Sequence, residues 1–139
     1  MKRKTANQNF ANYILLRDAI EDNIDPSFTY VRCRTCGRML QRISKKSHAG
    51  HFVPKGMGGG SGVYYDERNV HTQCSTCNDT LEGNRTEYWP FMLKEYDGQE
   101  VIDELRRKHH LPRPHSIDEY GIMYREKFKE LKKKYGLKQ

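Results

Sequence analysis

Two Cys-x-x-Cys pairs are the residues whose type and spacing point most directly to a chemistry. Cys33 and Cys36 form the first pair and Cys74 and Cys77 the second, with the 37 residues from position 37 to position 73 between them. Each pair can bind one metal ion from a tight turn, and two pairs complete a closed thiolate shell that stabilises structure and does not catalyse. The intervening segment is longer than in simple zinc ribbons. We therefore predict a structural zinc that holds both ends of a functional insert; free cysteines or a redox pair are the alternative.

The insert and its border carry polar residues that could act in catalysis. The stretch SHAGHF contains His48 and His51, Asn69 and His71 follow, and Asn78 comes directly after the second cysteine pair. Histidine has an unperturbed pKa near 6.5, so neutral imidazole is available at pH 7 to accept a proton from water. An amide oxygen can bind Mg²⁺, which prefers oxygen ligands. From the residues alone, the two histidines of SHAGHF could be zinc ligands, catalytic groups or structural residues.

The composition limits the size of the core and the choice of partners. Of the 139 residues, 35% are hydrophobic and 31% are charged, which supports one modest core that often needs a metal or disulfides. The net charge of +7 favours nucleic acid over an anionic membrane, since no long apolar segment or lipidation signal is present. The N-terminal MKRKTANQNF lacks the apolar core of a signal peptide. We expect a reducing cytoplasm, where paired cysteines bind metal.

Short elements must position these groups. Apolar residues recur at helical spacing from Gln8 to Ile20, and Pro26 ends that helix because it disfavours helix at the preceding residue. FTYVRC predicts a strand leading to the first cysteine pair, and HFV, VYY and NVHTQ predict strands around a glycine-rich loop. A helix is predicted to begin between Cys74 and Leu81. TEYWPFMLKEY, with Thr86 as its N-cap, and QEVIDELRRKHH are two further predicted helices.

The C-terminal segment, residues 112–139, is predicted as a proline-containing linker and a basic helix outside a first domain of residues 1–111. Ser116 and Glu119 form an S-x-x-E capping box at the start of the helix. Its aromatic and aliphatic stripe, which should dock on the core or on a second subunit, consists of Tyr120, Tyr124, Phe128, Leu131 and Tyr135.

Several of these motifs, in this order, resemble the HNH, or ββα-metal (His-Me finger), nucleases of the zinc-clamped, endonuclease VII-like kind. The similarity is closer to the phage NinG (Rap) recombination nuclease family. It is carried by FANYILLRD, CRTCGR, HAGHF, DERNVHTQCSTCN, EGN and YDGQEVIDEL, over about residues 10–105. The resemblance implies an α+β fold: a small ββα-metal core stapled by the four-cysteine zinc site, with flanking N- and C-terminal helices, in a bacterial host cell.

The same resemblance implies roles for individual residues. His51 would be the base that deprotonates water, Asn78 would bind a catalytic Mg²⁺ or Mn²⁺, and Asn69 would brace the hairpin and orient the histidine. His71 is expected to be structural and half-buried. The products would carry 5′-phosphate and 3′-hydroxyl ends.

The sequence departs from the family pattern directly before His51. Many ββα-metal nucleases place an aspartate or histidine metal ligand there, whereas this chain has Gly50. His48 is the nearest substitute ligand, with Asp66 and Asp79 as reserve candidates. A nitrogen ligand would make the site more favourable for Mn²⁺, Co²⁺ or Ni²⁺.

The five glycines between positions 56 and 62 do not form a phosphate-binding loop. No Gly-Lys-Ser/Thr follows them, and they lie in a predicted hairpin, so a flexible hairpin tip is the better interpretation. Lys55, beside the run, is the first candidate for a DNA phosphate contact, followed by Arg68 and Arg85; for each, a solvated surface charge is the alternative. Such contacts position a nuclease without reading sequence.

These observations predict a metal-dependent DNA endonuclease, which by family analogy cuts branched recombination intermediates of a phage. Two active sites would suit a junction, which favours a homodimer with the C-terminal stripe as one candidate interface. The alternatives are an HNH nicking or restriction-type enzyme on linear duplex and a non-catalytic zinc module that binds DNA. The last of these requires neither His51 nor Asn78.

Overall fold

The fold is known from a computed structural model that describes residues 1–56 and 60–138. It contains four helices and four short strands in these ranges, with the bounds α1 Arg3–Asp22, β1 Tyr30–Arg32, β2 Met39–Gln41, β3 Ser47–His51, β4 Val70–Cys74, α2 Arg85–Glu95, α3 Glu100–Lys108 and α4 Ile117–Lys134. A 3₁₀ turn, Glu67–Asn69, precedes β4, and a π-helical turn, Thr76–Thr80, follows it. The mixed α+β composition agrees with the sequence-based prediction.

The strands form two separate antiparallel pairs. β1 pairs with β2, and β3 pairs with β4 in a register that sets His51 opposite Val70 and His48 opposite Gln73. Sequence analysis missed β2, and it was wrong about VYY, which lies in a turn from 62 to 65. The cause is burial: Val63, Tyr64 and Tyr65 are apolar because they pack into the core, not because they form a strand.

The helix boundaries also differ from the predicted ones. α1 is longer than its apolar pattern, because polar residues extend it from Arg3, and it ends where Asn23 adopts a left-handed φ of 50°. Thr86 is not the N-cap of α2: the helix begins at Arg85 and Asn84 precedes it. The Ser116–Glu119 capping box of α4 is present as predicted.

The stripe on α4 packs within the chain. Tyr120 and Tyr124 are buried with Phe10 of α1, and Phe128 and Leu131 pack beside the cysteine-containing part of the core. Of the two predicted alternatives for this stripe, the structure shows docking on the core of the same chain, although Tyr135 is 40% exposed. A homodimer stays a prediction.

A buried ionic cluster joins α1 to β4. Asp18 is 1% exposed and accepts hydrogen bonds from Thr72 N at 2.8 Å and Thr72 Oγ1 at 2.9 Å. Burial alone would raise the pKa of Asp18, but the neighbouring charges of Arg17 and Arg34 lower this pKa below its usual value. Arg17 also donates to the backbone carbonyls of Glu67 and Val70, at 2.8 and 2.7 Å. α1 is therefore fixed to the strand that carries the second cysteine pair.

None of the helices in the described ranges combines the length and apolarity needed to span a membrane.

We predict that Asp18→Ala lowers the free energy of unfolding by about 3–5 kcal/mol, because it leaves buried arginine charges and the Thr72 N–H without their acceptor. The matched control is Glu21→Ala on the same helix. The Glu21 side chain is 56% exposed, and its 4.0 Å contact with Arg34 should contribute no more than about 1 kcal/mol. Urea denaturation measures both. Equal losses for the two variants would contradict the account of this cluster.

Candidate active site and metal centre

The four cysteines come together as predicted. Cys33 and Cys36 lie in the turn after β1, where Gly37 adopts a φ of 78°; Cys74 ends β4, and Cys77 lies in the π-helical turn. Their Sγ atoms all lie within 4.8 Å of one another, and those of Cys36 and Cys74 are 3.8 Å apart. A tetrahedral zinc site with Zn–S bonds of about 2.3 Å has sulfur–sulfur edges of about 3.8 Å. The cluster could therefore hold a metal ion such as zinc.

Two hydrogen-bond donors also point to this function of the thiols. The backbone N–H of Cys77 donates to Cys74 Sγ, and the Asn84 side chain donates to Cys77 Sγ, both at 3.4 Å. Such donors stabilise negative charge on a ligating sulfur.

His51 lies at the end of β3 with its ring fixed on both sides. Its Nε2 is 3.0 Å from the carbonyl oxygen of Tyr64, and its ring lies 4.3 Å from the Tyr64 ring. Because a carbonyl can only accept, Nε2 carries the proton and Nδ1 keeps a lone pair. Burial, together with the charge of Lys55, lowers the pKa of His51 to about 4. The ring is thus neutral at pH 7 and can accept a proton at Nδ1.

Asn69 closes the loop between β3 and β4 from inside. It is fully buried; its Oδ1 accepts from Val53 N at 2.7 Å, and its Nδ2 donates to the carbonyls of Val53 at 3.1 Å and Val63 at 3.3 Å. The amide therefore ties both ends of the loop that includes the Tyr64 carbonyl. The predicted hairpin tip includes residues 57–59, which lie outside the described residues.

His48 and Asn78 contact each other. Asn78 Nδ2 lies 3.0 Å from His48 Nδ1, and His48 Nε2 lies 2.9 Å from the carbonyl oxygen of Lys45. The carbonyl places the proton on Nε2, so Nδ1 accepts from the Asn78 amide. Asp79 is nearby, with Oδ2 3.7 Å from His48 Nδ1. In this arrangement His48 orients the Asn78 amide, whose Oδ1 remains the oxygen that a cation could use.

These groups line one cleft of about 650 Å³. His48, His51, Lys55, Asn78 and Asp79 form one side, and the N-terminal half of α1 forms the other. An adjoining depression is lined by His51, Lys55, Asn78 and Arg85.

The structure separates other predicted groups from this cleft. Arg68 donates to Asp66 at 2.9 Å and to Glu104 at 2.8 Å, and neither Arg68 nor Asp66 is among the cleft-lining residues. Arg85 reaches the adjoining depression while its guanidinium donates to the carbonyl of Phe52. The phosphate contacts assigned to Lys55, Arg68 and Arg85 stay predictions.

His71 is buried instead of half-buried. Its ring nitrogens contact the hydroxyls of Tyr88 at 3.1 Å and Tyr96 at 2.8 Å, and burial lowers its pKa to about 3. Its contacts join β4 to α2 and the turn after it, which is a structural role.

Gln73 explains why position 50 has no side chain. A Cβ atom on Gly50 would lie 1.8 Å from Gln73 Oε1. Gln73 is fully buried and held by hydrogen bonds from its Nε2 to Gly83 O at 2.8 Å and Thr35 Oγ1 at 3.1 Å, while Oε1 has no partner in the described chain. The space in which an aspartate ligand would begin is therefore occupied by the Gln73 amide.

Sequence reasoning missed two parts of the site. The Tyr64 carbonyl, which sets the tautomer of His51, is a backbone atom and carries no signal in residue type. The α1 residues that line the cleft, among them Lys4 and Gln8, were noted only as part of a polar N-terminus. Lys4 and Gln8 are four residues apart on the face of α1 opposite its apolar residues, and this spacing was the sequence signal that could have placed them together.

The comparisons with known proteins identify the family. The family model described as "Bacteriophage Lambda NinG protein" matches residues 2–134, so the chain belongs to the NinG family. The match continues through α4, beyond the range of about 10–105 that the motifs indicated.

Similar proteins include the protein ninG of Escherichia phage 933W and that of Escherichia phage lambda. Each is 30% identical over 103 residues, which is 72% of this chain and 48% and 47% of those proteins. The protein ninG of Salmonella phage P22 is 34% identical over 77 residues, 55% of this chain and 35% of that protein. The chain thus spans about half the length, or less, of these curated relatives. No solved structure matches significantly.

We predict about one tightly bound zinc per chain and a large loss of folded structure when it is removed, because the ion would join segments far apart in sequence. Elemental analysis and circular dichroism before and after treatment with a strong chelator measure this. Cys77→Ser should reproduce the loss without chelator. A folded, metal-free protein would contradict the zinc assignment.

We predict that Gly50→Ala costs about 1–3 kcal/mol of stability through the clash with Gln73, and that the cost is smaller in a Gln73→Ala background. Denaturation of the two single variants and the double variant gives the coupling. An unchanged cost of Gly50→Ala in the Gln73→Ala protein would show that Gln73 does not exclude a side chain at position 50.

Proposed function

We propose that this chain is a metal-dependent DNA endonuclease of the HNH, or ββα-metal, type that hydrolyses phosphodiester bonds, and that it acts on branched recombination intermediates of a phage. The observation that carries the proposal is the setting of His51. Its neutral imidazole lies at the end of a strand beside a polar cleft, a backbone carbonyl holds Nε2, and Nδ1 has no hydrogen-bond partner among the described residues. A purely structural or DNA-binding module has no need of a histidine held in this way.

The hydrolysis assigned to this site needs an activated water. His51 would accept the water proton at Nδ1, while the Tyr64 carbonyl stabilises the protonated ring through Nε2. The low pKa keeps His51 unprotonated at neutral pH, although it also makes the imidazole a weaker base than an exposed one. The attack would leave a 5′-phosphate and a 3′-hydroxyl.

The residues beside His51 suit a divalent cation. Asn78 offers an amide oxygen, Asp79 an exposed carboxylate and His48 a ring nitrogen, so the set is rich in the oxygen donors that Mg²⁺ or Mn²⁺ prefer. When bound, the ion would supply charge neutralisation at the phosphate and at the leaving oxygen. For His48 to act as a ligand through Nδ1, it would have to release Asn78; in the present arrangement it serves to orient that amide.

The choice of DNA as substrate rests on charge and on family. The chain carries a net charge of +7, and the order of its motifs resembles that of HNH nucleases. The preference for branched DNA rests on the resemblance to the phage recombination nucleases alone, as does the expectation of a homodimer with two active sites.

We predict that the zinc-loaded protein cuts DNA with Mg²⁺ or Mn²⁺, and that His51→Ala lowers the single-turnover rate about 10²- to 10⁴-fold, the usual contribution of a general base. His110→Ala, on an exposed histidine, is the matched control and should keep the wild-type rate. Supercoiled plasmid and synthetic four-way junctions serve as substrates.

The outcomes separate the alternatives. Faster cutting of junctions than of linear duplex supports the branched substrate, whereas equal or faster cutting of the duplex indicates a nicking or restriction-type enzyme. No cleavage with either metal by a folded protein that still binds DNA would refute the nuclease proposal. A His51→Ala variant as active as wild type would remove His51 from the mechanism.

A further inference from the structure

One face of α1 is polar and follows the cleft. Lys4, Gln8 and Asn12 stand four residues apart, so they form a single stripe along the helix. Gln8 Nε2 donates to Asn12 Oδ1 at 2.8 Å, which keeps the two amides side by side. The opposite face of α1 is buried, and the ionic cluster around Asp18 fixes the helix to β4. The stripe thus lies on a helix that buried contacts attach to β4.

The stripe forms one wall of a groove that is longer than the candidate active site. Lys4 and Gln8 line the cleft that contains His51. A second depression, lined by Gln8, Asn12, Lys45 and His48, shares Gln8 and His48 with the cleft. The depression that contains Arg85 shares His51 and Lys55 with the cleft. These three adjoining depressions together are called the groove.

The groove is predominantly basic. Its cationic residues are Arg3, Lys4, Arg42, Lys45, Lys55 and Arg85, and its acidic residues are Asp79, beside the candidate cation ligand, and Glu82. Such a surface fits a polyanion better than a neutral or acidic partner.

The first turn of α1 is unfavourable for the helix itself. Lys2, Arg3 and Lys4 stand there without any acidic residue, and Lys2 makes no side-chain cap hydrogen bond. Cations near a helix N-terminus oppose the helix dipole, so this turn lowers the stability of α1. Departures from local rules are expected where residues serve function instead of folding.

Arg3 lines the same cleft as Tyr64 and His51. Tyr64 supplies the carbonyl that binds His51 Nε2. The basic end of α1 and the proposed base therefore border the same cleft.

We propose that α1 is a substrate-binding element, in which Arg3 and Lys4 contact phosphates of the DNA strand in the groove, and the amides of Gln8 and Asn12 contact its backbone farther along. This inference rests on the proposed function for the identity of the polyanion. Contacts of this type position a strand relative to His51 without reading its sequence.

The test compares two pairs of substitutions that remove the same charge. Arg3→Gln/Lys4→Gln alters the groove, and Lys129→Gln/Lys133→Gln alters an exposed part of α4 that does not line it. Binding to a labelled four-way junction is measured as a function of salt, without added divalent ions so that cleavage does not interfere. Thermal unfolding of each variant is measured alongside.

Removing one phosphate contact should lower the slope of log affinity against log salt by about 1 and weaken binding about five- to tenfold near 0.1 M salt. The Arg3→Gln/Lys4→Gln protein should show a slope lowered by about 1 if one of the two residues contacts a phosphate and by about 2 if both do. The α4 pair should keep the wild-type slope. Lys4→Gln alone, on an exposed side chain, should show the effect of a single phosphate contact, and Lys4→Arg should bind like wild type. These single variants decide the question if the double variant is poorly folded.

Equal effects of the two pairs on binding would overturn the proposal, because only net charge would then matter. Unchanged binding by the Arg3→Gln/Lys4→Gln protein, or a wild type that does not bind DNA, would also overturn it. The two proposals fail separately. A wild type that binds through α1 but cuts no DNA refutes the nuclease and retains the binding element. If the wild type cuts DNA and the α1 variants bind and cut DNA as the wild type does, the binding role of α1 is refuted and the nuclease proposal stands.

Discussion

The convergence of four cysteine side chains is the constraint on which the candidate site depends. It brings the turn after β1 to the end of β4, two segments separated by 37 residues, and Asn78 directly follows the last cysteine. Gln73, directly before Cys74, sets the space available at Gly50 on the neighbouring strand. A single metal ion bound by the four thiolates would therefore fix one side of the cleft without taking part in catalysis.

Different interactions fix the other side. Asn69 closes the loop after β3 from inside, and the Tyr64 carbonyl within that loop orients His51. The Asp18 cluster attaches α1 to β4, so buried polar contacts set the position of the helix that faces the cleft. The basic surface and the proposed chemistry thus depend on one set of buried contacts, in which polar groups set positions and apolar groups exclude water.

The sequence predicted what local spacing determines. Each Cys-x-x-Cys pair specifies half of a candidate metal site, and an S-x-x-E box specifies the start of α4, because each depends on residues close in the chain. It could not predict that Gln73 excludes a side chain at position 50, since that contact joins two strands across a register that only the fold sets. The same applies to the turn at 62–65, whose apolar residues serve the core, and to the cleft wall formed by α1. His48 shows the limit most clearly, because its contact with Asn78 makes it an orienting residue in this arrangement.

The central claim, that water activated at His51 hydrolyses a phosphodiester, is tested most directly by isotope incorporation. A synthetic junction is cut in ¹⁸O-labelled water under single-turnover conditions, and the product ends are analysed by mass spectrometry. The account predicts one ¹⁸O in each new 5′-phosphate, an unlabelled 3′-hydroxyl, and formation of the labelled product about 10²- to 10⁴-fold more slowly by the His51→Ala protein. Unlabelled 5′ ends, 3′-phosphate ends, or labelled product formed by His51→Ala at the wild-type rate would contradict it.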